Sequence, residues 1–109
     1  HRHYAPQGRL TLVEGEPEAV AEAIIGLHDA QPEARILAMH DHIPLYGDRP
    51  VNDLGLDAAD AAHRLFYLLR SFDAQGVPRI FSETLPPTGL GLAVMNRLAR
   101  AAEFDIIKV

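Results

Sequence analysis

The chain has 109 residues, enough for one domain with a single hydrophobic core and too few for two. Its composition, 48% hydrophobic and 23% charged, is that of an ordinary globular protein, and no apolar run approaches the roughly 18 residues of a membrane span. A net charge of -5 argues against strong autonomous nucleic-acid binding, because Lys and Arg supply most of the non-specific affinity for phosphates. The lack of cysteine excludes disulfides and thiolate chemistry, and it leads us to expect a cytoplasmic protein without membrane contact.

Apolar spacing predicts alternating strands and helices along the chain. Pro17 suits the first turn of a helix because its φ is preset and it has no N–H to leave unpaired. Asp57 is a favourable N-cap for the second helix, and Gly76 ends that helix. The predicted strands are residues 10–13, 35–39, 51–54, 79–82 and 105–109, and the predicted helices are residues 16–30, 57–76 and 88–102.

Each predicted helix carries one apolar face at helical spacing. Strands that alternate with helices of this length need crossover connections, which favour a parallel sheet covered on its faces. We therefore predict an α/β fold, a small Rossmann-like three-layer sandwich with a mostly parallel sheet of four to five strands. The faces are formed by Val20, Ala23, Ile24, Leu27 and Ala30, by Leu65, Leu68, Leu69 and Phe72, and by Leu92, Met95, Ala99 and Ala102.

Residues 40–50 are rich in turn formers and are predicted to form a loop. Within it, His40 and His42 could both face one side of an extended segment and share a metal ion with a carboxylate. No third ligand has a fixed spacing, so a solvated loop without metal is favoured. His28 and His63 are interpreted as surface residues or residues that compensate a helix dipole.

A second candidate site lies at Gly89 and Gly91, between a strand and a helix, where free N–H groups could hold an anion. The fit to a dinucleotide fingerprint is poor, and a tight turn with close helix–sheet packing is the favoured interpretation. Asn96 and Arg97 could either anchor the loop of residues 85–91 or face another domain, and the sequence favours neither alternative. No serine lies in a nucleophile elbow, so no catalytic residue is predicted.

The leader of residues 1–8 differs in character from the rest of the chain. It has no core-forming pattern, and Pro6 biases Ala5 to extended geometry, which makes it a stiff segment presenting His3 and Tyr4. It begins without Met and resembles the tail of a longer segment. We expect residues 1–8 to be the end of an interdomain linker and residues 9–109 to be the domain.

Three motifs together resemble one known family. They are H-Y-A-P at residues 3–6, A-H-R-L-F-Y-L-L-R-S-F-D-A-Q-G-V at residues 62–77, and E-T-L-P-P-T-G-L-G-L-A-V-M-N-R-L at residues 83–98. The chain resembles the C-terminal domain of the long, two-domain, Sua5-type threonylcarbamoyl-AMP synthases. His1 departs from the aromatic residue usual in that family, and the preceding S-P-G segment is missing.

The resemblance implies that this chain is an accessory domain whose partner is a YrdC-like catalytic domain of the same polypeptide. The full-length enzyme would make threonylcarbamoyl-AMP from L-threonine, bicarbonate and ATP, with magnesium, for tRNA t6A modification. The linker would close over the active site, which gives His3 and Tyr4 a substrate-lid role. The isolated fragment is expected to have no cofactor and no activity.

Two other functions stay open from the residues alone. One is a stand-alone Rossmann-like module that binds a nucleotide or phosphorylated ligand through residues 89–91, and the other is a pure protein-interaction domain. The full reading frame separates them, because a catalytic domain of about 200 residues upstream would exclude a stand-alone module.

Overall fold

A computed structural model describes residues 4–109 as a parallel α/β domain. Its strands are predominantly short, and a 3-10 helix connects the second and third of them. In chain order the elements are β1 (Arg9–Glu14), α1 (Pro17–Ala30), β2 (Arg35–Ala38), the 3-10 helix (His40–Tyr46), β3 (Val51–Asp53), α2 (Ala58–Gln75), β4 (Arg79–Glu83), α3 (Leu90–Ala101) and β5 (Ile106–Lys108).

The five strands form one sheet in the order β3-β2-β4-β1-β5, and every neighbouring pair is parallel. Leu12 lies opposite Ser82 of β4 and Ile106 of β5, so β1 is hydrogen-bonded on both sides. The predicted Rossmann-like sandwich with a parallel sheet is confirmed.

Successive β1 residues face opposite sides of the sheet, as strand geometry requires. Leu12 packs with residues of α2 and α3, whereas Val13 packs with residues of α1 and with Tyr46 of the 3-10 helix. The sheet therefore separates two cores, with α1 and the 3-10 helix on one face and α2 and α3 on the other.

The ends of α2 follow the predicted capping. The Asp57 side chain accepts a hydrogen bond from the Asp60 N–H at 3.0 Å, which satisfies a free donor of the first turn. Gly76 adopts the left-handed conformation, with φ at +69°, and closes the helix. Within residues 4–109 no helix is long and apolar enough to cross a membrane.

The prediction of a loop over residues 40–50 is wrong for its first part, which is the 3-10 helix. Pro44 lies inside it, and the helix buries Tyr46 completely. Turn-forming residues are compatible with a short 3-10 helix, because its i to i+3 hydrogen bonds are those of consecutive turns.

The predicted apolar face of α3 is rotated by about one residue from the observed one, although Met95 packs against the core and Ala102 is buried. The buried positions are Gly91, Val94, Leu98 and Ala101, and Leu92 is 47% exposed. The reason is the close approach of Gly91 to the loop after β4, which turns the glycine rather than Leu92 towards the protein interior.

His28 was expected at the surface but is only 6% exposed. It follows Ile24 by one helical turn on the buried face of α1. Neither ring nitrogen has a hydrogen-bond partner among residues 4–109, so this imidazole contributes to the core chiefly through packing.

Candidate functional site

The Asp73 carboxylate, near the end of α2, holds the leader against the domain. Its Oδ2 accepts a hydrogen bond from the Tyr4 hydroxyl, and its Oδ1 accepts one from the Gln7 N–H at 2.8 Å. Burial and the bond to Asp73 raise the pKa of Tyr4 to about 12. The leader also passes close to Val77 at Gly8, where a Cβ would collide with the Val77 carbonyl oxygen. We call this arrangement of Tyr4, Gln7, Gly8 and Asp73 the linker anchor.

Two of the predicted site residues meet on the ring of Phe66 in α2. Tyr4 contacts it edge-on, with the ring centroids 6.4 Å apart, and the Arg97 guanidinium carbon lies 4.2 Å from its centroid. Arg97 thus packs on α2, and it makes no hydrogen bond to residues 85–91 in the described part of the chain. Asn96 is exposed on α3, and His3 lies outside the described residues.

The glycines of the predicted anion site have structural roles in the turn before α3. Gly89 has φ at +55°, a conformation that favours glycine. A Cβ on Gly91 would lie closer than 3.0 Å to the Pro86 carbonyl oxygen. The conformation of Gly89 and the close contact of Gly91 account for both glycines without a ligand.

A crevice opens where the carboxyl ends of β1 and β4 lie side by side. The chain leaves β1 for α1 on one face and leaves β4 for α3 on the other, which is the topological switch point where parallel α/β sheets bind ligands. This switch-point crevice has a volume of about 560 Å³. It is lined by Glu14, Gly15, Glu16, Pro17, His42, Thr84, Leu85, Pro86, Pro87 and Met95.

The Glu83 carboxylate, only 2% exposed, lies beneath this crevice at the end of β4. Its Oε1 accepts from the Met39 N–H at 3.0 Å and lies 2.8 Å from His42 Nδ1, while its Oε2 accepts from the Tyr46 hydroxyl at 2.6 Å. Burial, reinforced by the bond to Glu83, strongly raises the pKa of Tyr46. Because Nδ1 of His42 lies against Glu83, the Nε2 atom is the ring nitrogen left for a ligand.

The structure separates the two histidines of the predicted metal site. His40 Nδ1 lies 2.7 Å from Asp53 Oδ2, whereas His42 pairs with Glu83. The hydrogen bond to Asp53 raises the pKa of His40 and lowers that of the Asp53 carboxyl. Within residues 4–109 no three His, Asp or Glu side chains are grouped to hold a metal ion.

Sequence reasoning missed the central residues of both arrangements. Asp73 and Glu83 each lie in one of the motifs that carried the family resemblance, so those motifs held the signal. Tyr46 is predicted only as a neighbour of His40 and His42 in the loop, and the lack of helical or strand periodicity around it gave no sign that it would be buried.

Comparisons with known proteins agree with these motifs. A family model described as threonylcarbamoyl-AMP synthase, C-terminal domain, matches residues 1–103. The chain is 34% identical over 110 residues to a threonylcarbamoyl-AMP synthase of Bacillus subtilis, with 99% of this chain and 32% of that protein covered. The chain therefore spans about a third of the length of the curated relatives it matches.

Solved structures show the same fold. A crystal structure of Pyrococcus abyssi Sua5 with L-threonine has a TM-score of 0.85 and 36% identity, covering 100% of this chain and 32% of that one. A variant of that protein with an adjacent His and Tyr replaced by Ala has a TM-score of 0.73 and 31% identity, covering 95% and 30%. The separately crystallised C-terminal Sua5 domain from Pyrococcus horikoshii has a TM-score of 0.70 and 32% identity, covering 96% and 100%.

Proposed function

The chain belongs to the family of the threonylcarbamoyl-AMP synthase C-terminal domain, and from that membership we propose that it is the accessory, regulatory domain of such an enzyme. The parent enzyme would condense L-threonine, bicarbonate and ATP into threonylcarbamoyl-AMP and pyrophosphate for tRNA t6A formation. A YrdC-like catalytic domain of the same polypeptide would bind the substrates and the magnesium of ATP. Its setting would be the cytoplasm, in keeping with a chain that has no cysteine.

The observation that supports an accessory role is the linker anchor. Asp73 takes hydrogen bonds from a side chain and a backbone group of the leader, three residues apart, so it fixes the direction of the segment as well as its position. A linker fixed in this way would hold the proposed catalytic domain and this domain in a defined orientation. We propose that the domain holds the linker so that it can cover the substrates of the catalytic domain.

Within the lid predicted at His3 and Tyr4, we assign the two residues different tasks. The Tyr4 hydroxyl is bonded to Asp73 and its ring contacts Phe66, which suits an anchor. His3 is then the residue proposed to reach the substrates. A variant of the P. abyssi protein also replaces an adjacent His and Tyr, the same two residue types as His3 and Tyr4, which supports testing this pair.

The decisive experiment measures threonine-dependent pyrophosphate release from ATP by the full-length enzyme. We expect His3→Ala to weaken the use of ATP or threonine while leaving the melting temperature of the isolated domain unchanged, because a lid contacts substrates only when the catalytic domain is present. His63→Ala, at an exposed position of α2, is the matched control. Unaltered kinetics of the His3→Ala enzyme would contradict the lid assignment. Full activity of an enzyme that lacks residues 1–109 would contradict the accessory role.

The alternative of an anion site at Gly89, Gly91, Asn96 and Arg97 stays a prediction. Inorganic phosphate added to the isolated chain tests it, because binding would shift the backbone amide NMR signals of the first turn of α3. Without such shifts, the tight turn is the whole role of the glycines.

A further inference from the structure

We propose that the switch-point crevice is a binding site for a small molecule that carries a protonated amine and a short apolar portion. This site belongs to the chain itself and does not depend on the proposed catalytic partner. Three features of the crevice lead to it: its position and shape, the charge of its lining, and the orientation of His42.

Position and shape suit a small ligand. The crevice lies at the switch point between β1 and β4, and its volume of about 560 Å³ falls within the range of about 300–1,000 Å³ usual for such sites. One wall is apolar and is formed by Pro86, Pro87 and the side chain of Met95. This wall can cover a short alkyl group and exclude water from it.

The charge of the lining residues favours a positively charged ligand. Glu14, Glu16 and His42 are the titratable residues that line the crevice, and no Lys or Arg is among its lining residues in the described part of the chain. The buried Glu83 adds a further carboxylate beneath them. These carboxylates would repel a phosphate or carboxylate ligand, whereas an ammonium group gains from them.

His42 supplies a directed polar contact. Its Nδ1 is held by Glu83, and Glu83 is in turn fixed by Tyr46 and by the Met39 N–H. A carboxylate behind an imidazole sets both the tautomer and the ring orientation. In the neutral ring, the tautomer that donates from Nδ1 to Glu83 leaves Nε2 as an acceptor, for which an ammonium N–H is a strong donor. The burial of Tyr46 and Glu83 keeps this arrangement in place before any ligand arrives.

The test is an NMR titration of the 109-residue chain with n-butylammonium chloride, followed by amide and imidazole signals. Sodium butyrate and n-butanol, which share the alkyl chain but carry a negative or no charge, are matched probes. We expect n-butylammonium to shift the signals of residues 14–17, 42 and 83–87 in a saturable way, n-butanol to bind more weakly, and butyrate not to bind. Absence of a saturable shift below about 10 mM, or equal binding of butyrate, would overturn the proposal.

Variants then assign the contacts. His42→Ala should weaken n-butylammonium binding about tenfold, the loss of one hydrogen bond to a charged group. The double variant Glu14→Gln and Glu16→Gln should weaken it about threefold, as for exposed charge pairs. His63→Ala should leave it unchanged. Glu14 and Glu16 are both exposed, so the double variant keeps the fold and preserves the test if His42→Ala proves unstable. Unchanged affinity in the double variant would refute the role of charge, and with it the site as proposed.

Discussion

The Tyr46 hydroxyl donates a 2.6 Å hydrogen bond to Glu83 Oε2, which joins the 3-10 helix to the end of β4 across 37 residues of chain. Both residues are buried, so water cannot replace the bond if one partner is removed. The same carboxylate orients His42, and the bond therefore links the stability of the domain to the geometry of the switch-point crevice.

Tyr46→Phe should lower the free energy of unfolding by about 1–3 kcal/mol, because it leaves a buried carboxylate oxygen without its donor. Urea denaturation of the isolated chain measures this. Tyr67→Phe is the control, since Tyr67 is 66% exposed and should lose almost nothing. Equal stability of the two variants would show that Glu83 Oε2 finds another donor.

The linker anchor should weaken at high pH. The pKa of Tyr4 is raised from 10.0 to about 12 in the folded chain, so the stability it contributes is fully present below pH 10 and is lost as the pH rises through about 12. Tyr4→Phe keeps the ring on Phe66 but removes the titrating hydroxyl. The difference in free energy of unfolding between wild type and Tyr4→Phe should therefore shrink above pH 10, and a constant difference would contradict the bond to Asp73.

Leu69→Ala should destabilise the domain by about 2–5 kcal/mol, because it leaves a cavity at a fully buried position of α2. Leu92→Ala removes the same atoms from a position of α3 that is 47% exposed, and it should change the free energy of unfolding by less than about 0.5 kcal/mol. Chemical denaturation compares them directly. A large loss in Leu92→Ala would restore the apolar face of α3 predicted from the sequence.

The two glycines Gly91 and Gly26 should respond to alanine in opposite directions. Gly91→Ala should cost about 1–3 kcal/mol, since the new Cβ would collide with the Pro86 carbonyl oxygen. At Gly26, on the open side of α1, a Cβ meets nothing within 4 Å, so alanine should stabilise the helix by about 0.5–1 kcal/mol. Thermal unfolding of both variants provides the measurement. An unchanged melting temperature in Gly91→Ala would mean that the turn before α3 can move to accommodate the Cβ.

Features that depend on neighbours a few residues apart were determined by the sequence alone. The strands and helices follow from the spacing of apolar residues, and the ends of α2 follow from Asp57 and Gly76. Their alternation was enough to predict a parallel sheet, because helical crossovers leave few other arrangements. The family motifs indicated the family and include Asp73 and Glu83, although the roles of these two residues were not predicted.

Only the tertiary structure decided which distant residues meet. Tyr4 reaches Asp73 across 69 residues because the leader packs against α2 on one face of the sheet. Tyr46 reaches Glu83 across 37 residues because the 3-10 helix packs against the sheet, where Glu83 ends β4. The burial of His28 and the one-residue shift of the α3 face were likewise decided by how the helices pack on the sheet. Local periodicity states that a helix has an apolar face, but the close contact of Gly91 with Pro86 sets the rotation of that helix against the sheet.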